Sequence, residues 1–259
     1  MSQLANALKN REWLRRVAPF PHVIAEDVFQ PEFYAGLCTQ IHQMLGRGLS
    51  EMPAAGRFSR SLPGYDAYGI GFGASPSGPV SLFSSIEWRD MMCDIFGIGK
   101  TPYIFAGAHY HAVGSRDGYV HNDFNRVWFP RATDLSIQVP NQTLCAYKTG
   151  KGPLLPHDKV ELVRGAVAIF YLLNDGWRRG DGGETALFRN LQTPSGCSGT
   201  VQFAPVSNSL IAFECTPFSF HTFISNHRLP RLSIIMWVHR PLHEAVARFG
   251  KDQLEQFYD

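Results

Sequence analysis

From Pro102 onward the chain is built of short runs rich in β-branched and aromatic residues, separated by Gly, Asn and Pro: Tyr103–Tyr110, Ala166–Leu173, Ser209–Phe213, Phe218–Ile224 and Arg231–His239. Many short strands at this spacing predict an all-β core, a sandwich or barrel. Helical spacing is confined to the flanks. Phe33, Leu37, Ile41 and Leu45 recur every four residues in Glu32–Leu45, behind Pro31, and Ile86, Met92 and Phe96 mark a second helix over Leu82–Phe96. Between them, Gly48–Gly78 reads as extended loop with short strands, and His243–Tyr258 as a weak terminal helix. No repeat or linker interrupts the 259 residues. The expectation is one domain over 1–259, with a support of helices and extended chain over 1–101, a strand core over 102–240 and a tail over 241–259.

Composition removes several classes of function. With 44% hydrophobic and 18% charged residues, the chain can bury a core without staples, which excludes a fibre, a disordered tail and a disulfide miniprotein. The net charge of +2 comes with basic residues in mere pairs, such as Arg15-Arg16 and Arg178-Arg179, so no nucleic-acid partner is expected. Five cysteines without a CxxC point to reduced, buried thiols rather than zinc or disulfides. The opening residues lack the apolar run of a signal peptide, and the longest apolar stretches, Ala166–Leu173 and Leu232–Val238, fall far short of the roughly 20 residues that span a bilayer. A cytoplasmic protein without a membrane partner, monomer or homodimer, is the expectation.

Chemistry concentrates in a few positions. In His121-Asn122-Asp123, an extended backbone would point the imidazole and the carboxylate to one side. Taken alone, such a triplet is more often a hydrogen-bonded pair than a metal site. His221 and Arg231 lie symmetrically about Asn226, in the turn-forming Ser225–Pro230, so a hairpin there would set them opposite each other, with Ser233 on the same face. Arg231 is permanently charged and needs an anionic partner inside a sandwich, either an internal acid or a small carboxylate ligand that its planar fork would clasp. Two imidazoles and one carboxylate on a rigid sheet would form the facial triad of a non-haem Fe(II) oxygenase.

These residues, with their surroundings, resemble the Fe(II)/2-oxoglutarate-dependent dioxygenases, and within them the prolyl-4-hydroxylase-like branch. Pro19–Ile24 resembles that branch's opening strand, and Tyr110-His111-Ala112-Val113-Gly114 its Tyr-x-x-x-Gly segment. Tyr119–Asp123 is similar to its His-x-Asp motif, and Tyr171–Trp177 followed by Gly182–Leu187 to its tyrosine strand and Gly-Gly-x-x-x-Leu turn. The ten-residue spacing of His221 and Arg231 and the Arg231-Leu232-Ser233 triplet also match. The resemblance implies a double-stranded β-helix, a distorted jelly roll. It further implies Fe(II) held by His121, Asp123 and His221, the C5 carboxylate of 2-oxoglutarate paired with Arg231, and hydrogen bonds to this co-substrate from Tyr110, Tyr171 and Ser233. O2 would be the oxidant, 2-oxoglutarate would leave as succinate and CO2, and ascorbate is a candidate reductant. Asp123 favours hydroxylation, because halogenating relatives carry a small residue there. Desaturation and ring formation remain open.

The long stretch Phe124–Leu162, interrupted by Pro130, Pro140, Gly150–Pro153 and Pro156, predicts a lid, with a plain surface insertion as the alternative. Its Phe124, Trp128, Phe129 and Tyr147, with Arg126, Arg131 and Arg178 as carboxylate contacts, suggest a small substrate, a free amino acid or amino-acid-derived metabolite. Prolyl residues of a peptide or protein are the alternative. His109 and His111 read as a polar strand face near the cleft, Glu184 as a cap or salt bridge, and Gly180-Asp181-Gly182-Gly183 as a turn. The rival of different class is a catalytically idle β-sandwich that binds a partner through the same cleft.

Overall fold

The computed structural model describes residues 3–46, 55–57, 62–190 and 200–254. In chain order its elements are α1 (Gln3–Ala7), β1 (Leu14–Arg16), β2 (His22–Ala25), α2 (Pro31–Gly46), β3 (Ala55–Arg57), β4 (Ala67–Gly71), a 3-10 turn (Pro79–Ser84) and α3 (Ile86–Phe96). Then follow β5 (Ile104–His111), β6 (Arg126–Pro130), β7 (Lys159–Tyr171), β8 (Thr185–Phe188), β9 (Thr200–Phe203), β10 (Ser209–Glu214), β11 (His221–Phe223), β12 (Arg231–Pro241) and α4 (Leu242–Phe249). The helices start and stop where the sequence signals. Pro31 opens α2. The Ser85 hydroxyl accepts from the Trp88 amide at 3.1 Å to cap α3, which ends on Gly97 in the left-handed region.

Nine strands form one antiparallel sheet in the order β1-β2-β10-β7-β12-β5-β4-β3, with β6 also alongside β7, and β11-β8-β9 form a second. Register assigns the faces. Ser233 on β12 stands opposite Tyr171 on β7 and His109 on β5, so one parity, including Arg231, Ile235 and Trp237, looks toward the small sheet. The other parity, Ala106, Ala168, Phe170, Ala212, Ile234 and Met236, packs on Leu37, Ile41, Trp88 and Met92 of the helices. Each large side chain fully buried there contributes about 1.5–3 kcal/mol. The inner face joins Ile169, Tyr171, Ile211, Phe213, Ile235 and Trp237 to Leu187 of β8.

This architecture corrects the expected fold class. The chain is a mixed α/β structure of two sheets with flanking helices, not an all-β double-stranded β-helix. The large sheet is open, ending on β1 and β3, and among the described residues no ladder joins it to the small one. The physical reason is visible in β7, where every residue from Ala166 to Tyr171 is buried. A strand apolar on both faces needs a second covering layer, and the helices supply it.

Two further expectations change. Ser225–Pro230 does not make a hairpin: the buried Asn226 bridges to Gly182 and donates its side-chain amide to Leu229 O at 2.7 Å, so the chain passes from β11 in the small sheet to β12 in the large one. Gly182 (φ 77) fits this crossing because a Cβ would lie 1.9 Å from Ser225 O. Nor is Phe124–Leu162 a lid. It adds β6 to the sheet and fills its own core, Val127, Phe129 and Tyr147 against Tyr103 and Leu162, while Phe124 packs with Val163 and Ala245. Arg126 pairs with Glu161, and Arg131 caps the carbonyls of His157 and Lys159.

Candidate metal centre

His121 and His221, one hundred residues apart, are locked together by their own backbones: the His121 amide donates to His221 O at 3.0 Å and the His221 amide to His121 O at 2.7 Å. Each ring is then turned by the same device. Nδ1 of His121 lies 2.8 Å from Tyr119 O, and Nδ1 of His221 lies 2.9 Å from Ser219 O. A carbonyl only accepts, so both Nδ1 atoms carry a proton, which leaves Nε2 of each ring as the atom turned to a metal. Asp123 reaches the same space by a bend, not by strand alternation. Its φ of 60° follows Asn122, whose side-chain oxygen accepts from the Phe124 amide at 2.9 Å, and the Asn122 carbonyl accepts from the Ser219 hydroxyl. The convergence is tight. Nε2 of His121 is 3.8 Å from Asp123 Oδ1, Nε2 of His221 is 3.6 Å from Asp123 Oδ2, and one donor atom from each of the three lies within 4.8 Å of the others.

Electrostatics ready the donors. Burial works to raise the Asp123 pKa, but the Arg164 guanidinium and the His221 contact outweigh it and hold the carboxyl well below the usual range. Desolvation and the neighbouring His221 lower His121 to about 4. The set at neutral pH is therefore one carboxylate beside a neutral imidazole already stripped of its acid proton. Two N/O donor types in a facial arrangement, with 41% of the His121 side chain still reaching solvent, suit a divalent iron with positions left open.

Beside this set, Arg231 is 4% exposed, and among the described residues no carboxylate pairs with it. Its Nη2 donates to the Thr185 hydroxyl at 2.9 Å, which also receives the Tyr171 hydroxyl at 2.6 Å, and its guanidinium lies 5.1 Å over the Tyr171 ring. Nη1 faces His111 Nδ1 at 3.4 Å, and His111 Nε2 faces the Tyr65 hydroxyl at 3.2 Å. Burial first, then Arg231, keeps His111 neutral. Two buried polar atoms here lack any partner, Arg231 Nε and Ser233 Oγ. A cation with an unanswered donor and an idle hydroxyl make a receptacle for an anion.

The structure thus brings His121, Asp123 and His221 to one point, and sets Arg231, Ser233 and Tyr171 on the inner face of the large sheet, the face whose Trp237 contacts Asp123. Tyr110 it does not: that ring lies against the helix-side core. Its neighbours His109 and His111, read as a polar strand face, are the residues of β5 that turn inward. Sequence reasoning missed Tyr65, Thr185 and Arg164 as members of the site. Thr185 had a signal, its place directly after the Gly-Gly turn, whereas Tyr65 and Arg164 had none.

Fold and site together define a mononuclear metal oxygenase of the two-histidine, one-carboxylate kind. Residues 143–239 match the family model described as the 2OG-Fe(II) oxygenase superfamily, and the chain carries a domain of that superfamily. It is an enzyme of the 2-oxoglutarate-dependent non-haem iron type. Among solved structures it resembles a Pseudomonas putida prolyl-4-hydroxylase, at 15% identity and a TM-score of 0.54, over 85% of this chain and 92% of the other. It is also similar to a Trichoplax adhaerens prolyl hydroxylase in complex with a hypoxia-inducible-factor peptide fragment, at 14% identity and 0.56, over 87% and 86%. A viral collagen prolyl hydroxylase from Paramecium bursaria Chlorella virus-1, in complex with 2-oxoglutarate, is similar at 13% identity and 0.50, over 85% and 96%. No curated protein matches the sequence. These findings correct the expected small, amino-acid-like partner. The similar structures are prolyl hydroxylases, one of them holding a peptide, and Phe129 and Tyr147, expected to close over a small molecule, pack into a core cluster instead. Among the described residues no helix is long and apolar enough to cross a membrane.

Proposed function

We propose that this chain hydroxylates a prolyl residue within a peptide or protein, using Fe(II), 2-oxoglutarate and O2. The observation that carries the reading is the buried, acid-free Arg231 with its idle Nε and Ser233 Oγ, set on the same sheet face as Trp237, which contacts one of three convergent metal donors. Fe(II) with 2-oxoglutarate and O2 would supply the oxidant for a C–H bond, releasing succinate and CO2. His121, Asp123 and His221 would hold the metal through Nε2, a carboxylate oxygen and Nε2. Arg231 and Ser233 would receive the far carboxylate of 2-oxoglutarate, with Tyr171 acting through Thr185 to keep the guanidinium aimed. No part is assigned to Tyr110.

A polypeptide substrate is supported by the shape of the open side. Tyr119 and Val120, next to His121, and Phe218, close to His221, are large apolar residues left exposed around the cleft. Such a rim suits the apolar ring of proline carried on an extended chain. The described cysteines are all free, in keeping with work in the cytoplasm.

The first test is an anaerobic titration of the protein with Fe(II) and 2-oxoglutarate, in which a metal-to-ligand charge-transfer band should grow to one equivalent. Absence of the band would remove the enzyme reading. The second is mass spectrometry of prolyl peptides and free amino acids after turnover. A gain of one oxygen on prolyl peptides, with matching succinate, is expected; oxidation of free amino acids alone would overturn the polypeptide substrate.

A further inference from the structure

Behind Asp123 runs a chain of buried polar groups that the metal-donor set does not use. Arg164 of β7, 7% exposed, donates Nη1 to Asp123 Oδ1, and the Trp237 indole donates to Asp123 Oδ2 at 2.9 Å. The Arg164 guanidinium itself lies 4.0 Å over the Trp237 ring. Its Nε donates to the Tyr147 hydroxyl at 3.2 Å, and that hydroxyl lies 2.8 Å from His239 Nε2. The direction of every bond in the chain is fixed by its far end. His239 Nδ1 is 2.9 Å from the Tyr103 carbonyl and so carries the ring proton. His239 Nε2 then accepts from Tyr147, whose oxygen is left to accept from Arg164. Tyr147 comes from the inserted segment, so that segment is joined to the metal-facing carboxylate.

We propose that Arg164 is the positioning residue of the metal centre: gripped by Trp237 and Tyr147, it fixes the plane of the Asp123 carboxylate before metal arrives. This rests on the proposed role of Asp123 as a metal ligand. One donor sits on each carboxylate oxygen, from two different strands, so the group cannot spin about its last bond. The remaining lone pairs then face the two Nε2 atoms at 3.6 and 3.8 Å. Two effects oppose each other if Arg164 is changed: the loss of a fixed carboxylate weakens metal binding, whereas the loss of a nearby cation strengthens it. A lysine separates them, because it keeps the charge and abolishes the fork.

The test uses Co(II), whose visible spectrum reports the coordination shell, titrated into the full chain without 2-oxoglutarate. Wild type and His121→Ala come first. If the wild type takes up no Co(II), or His121→Ala takes it up equally well, the triad reading itself fails and the site lies elsewhere. With that secured, Arg164→Lys should bind Co(II) about 10–100-fold more weakly and with an altered spectrum, the range typical when the partner of a metal ligand is changed. Tyr147→Phe, which leaves the ion pair but frees the guanidinium plane, should move affinity and spectrum in the same direction by a smaller factor. A folded Arg164→Lys protein with wild-type affinity and spectrum would overturn the positioning role. Should Arg164→Lys fail to fold, Tyr147→Phe decides: a wild-type titration there overturns it too.

Discussion

At the scale of single residues, the cleft separates metal donors from the anion receptacle, and their substitutions should separate as well. His121→Ala, Asp123→Ala and His221→Ala should each abolish succinate release with the fold intact by circular dichroism. Arg231→Ala should mainly raise the KM for 2-oxoglutarate, by about 10–100-fold, since a charge-assisted hydrogen bond is worth about 1.5–3 kcal/mol. Succinate release against 2-oxoglutarate concentration measures this, and an unchanged KM would contradict the receptacle. The convergence of His121, Asp123 and His221 was legible because each stands in a motif whose order along the chain is informative, although the hairpin read between His221 and Arg231 is absent. Tyr110 shows the limit of such reading. A strand offers two faces, and the motif does not say which; only the pairing of Arg231 with His111 across β12 and β5 decides that His111 looks inward and Tyr110 outward. Arg164 was invisible because nothing in its local sequence distinguishes a buried cation from a surface one.

At the scale of elements, the strands of the core and both long helices could be read from spacing, whereas the connections were misread. Phe124–Leu162 carries enough proline and glycine to look like a lid, yet its apolar residues have a sheet edge to pack against, which short-range pattern does not reveal. Phe129→Ala should therefore cost about 3–5 kcal/mol of stability, as expected for a fully buried aromatic, while leaving the KM for substrate near wild type. Urea unfolding beside steady-state kinetics checks it, and a raised KM at unchanged stability would restore the lid. The crossing from β11 to β12 was read as a hairpin because turn residues look alike whether the chain reverses within a sheet or leaves it. Gly182→Ala, which would force a methyl against Ser225 O and strain a positive φ, should lower the melting temperature and weaken 2-oxoglutarate binding together, since the same crossing sets Arg231 in place. Melting and titration curves on the one variant would show whether the two losses travel together.

At the scale of the whole molecule, the open pair of sheets was beyond the sequence: short strands imply many ladders, but whether they close depends on what covers the outer face, and two helices sufficed. Five histidines, His22, His109, His111, His121 and His239, are held below their ordinary value, in each case by burial first. Their folded forms are neutral, so the unfolded chain takes up protons first as pH falls below about 6.5. Stability from this source is complete above that value and declines through the acid range, for buried His239 until its folded value of about 3, with a slope of about 1.4 kcal/mol per pH unit from that residue alone. Urea midpoints between pH 8 and 4 measure it, and a level profile would contradict it. The reciprocal amide bonds between His121 and His221 carry one more consequence. Because the peptide framework and not the cation sets the spacing of the donors, the enzyme should surrender iron to a chelator without unravelling. Resupplied with ferrous ion, it should regain turnover as fast as the ion is captured, and a lag independent of iron concentration would show that the cradle had collapsed.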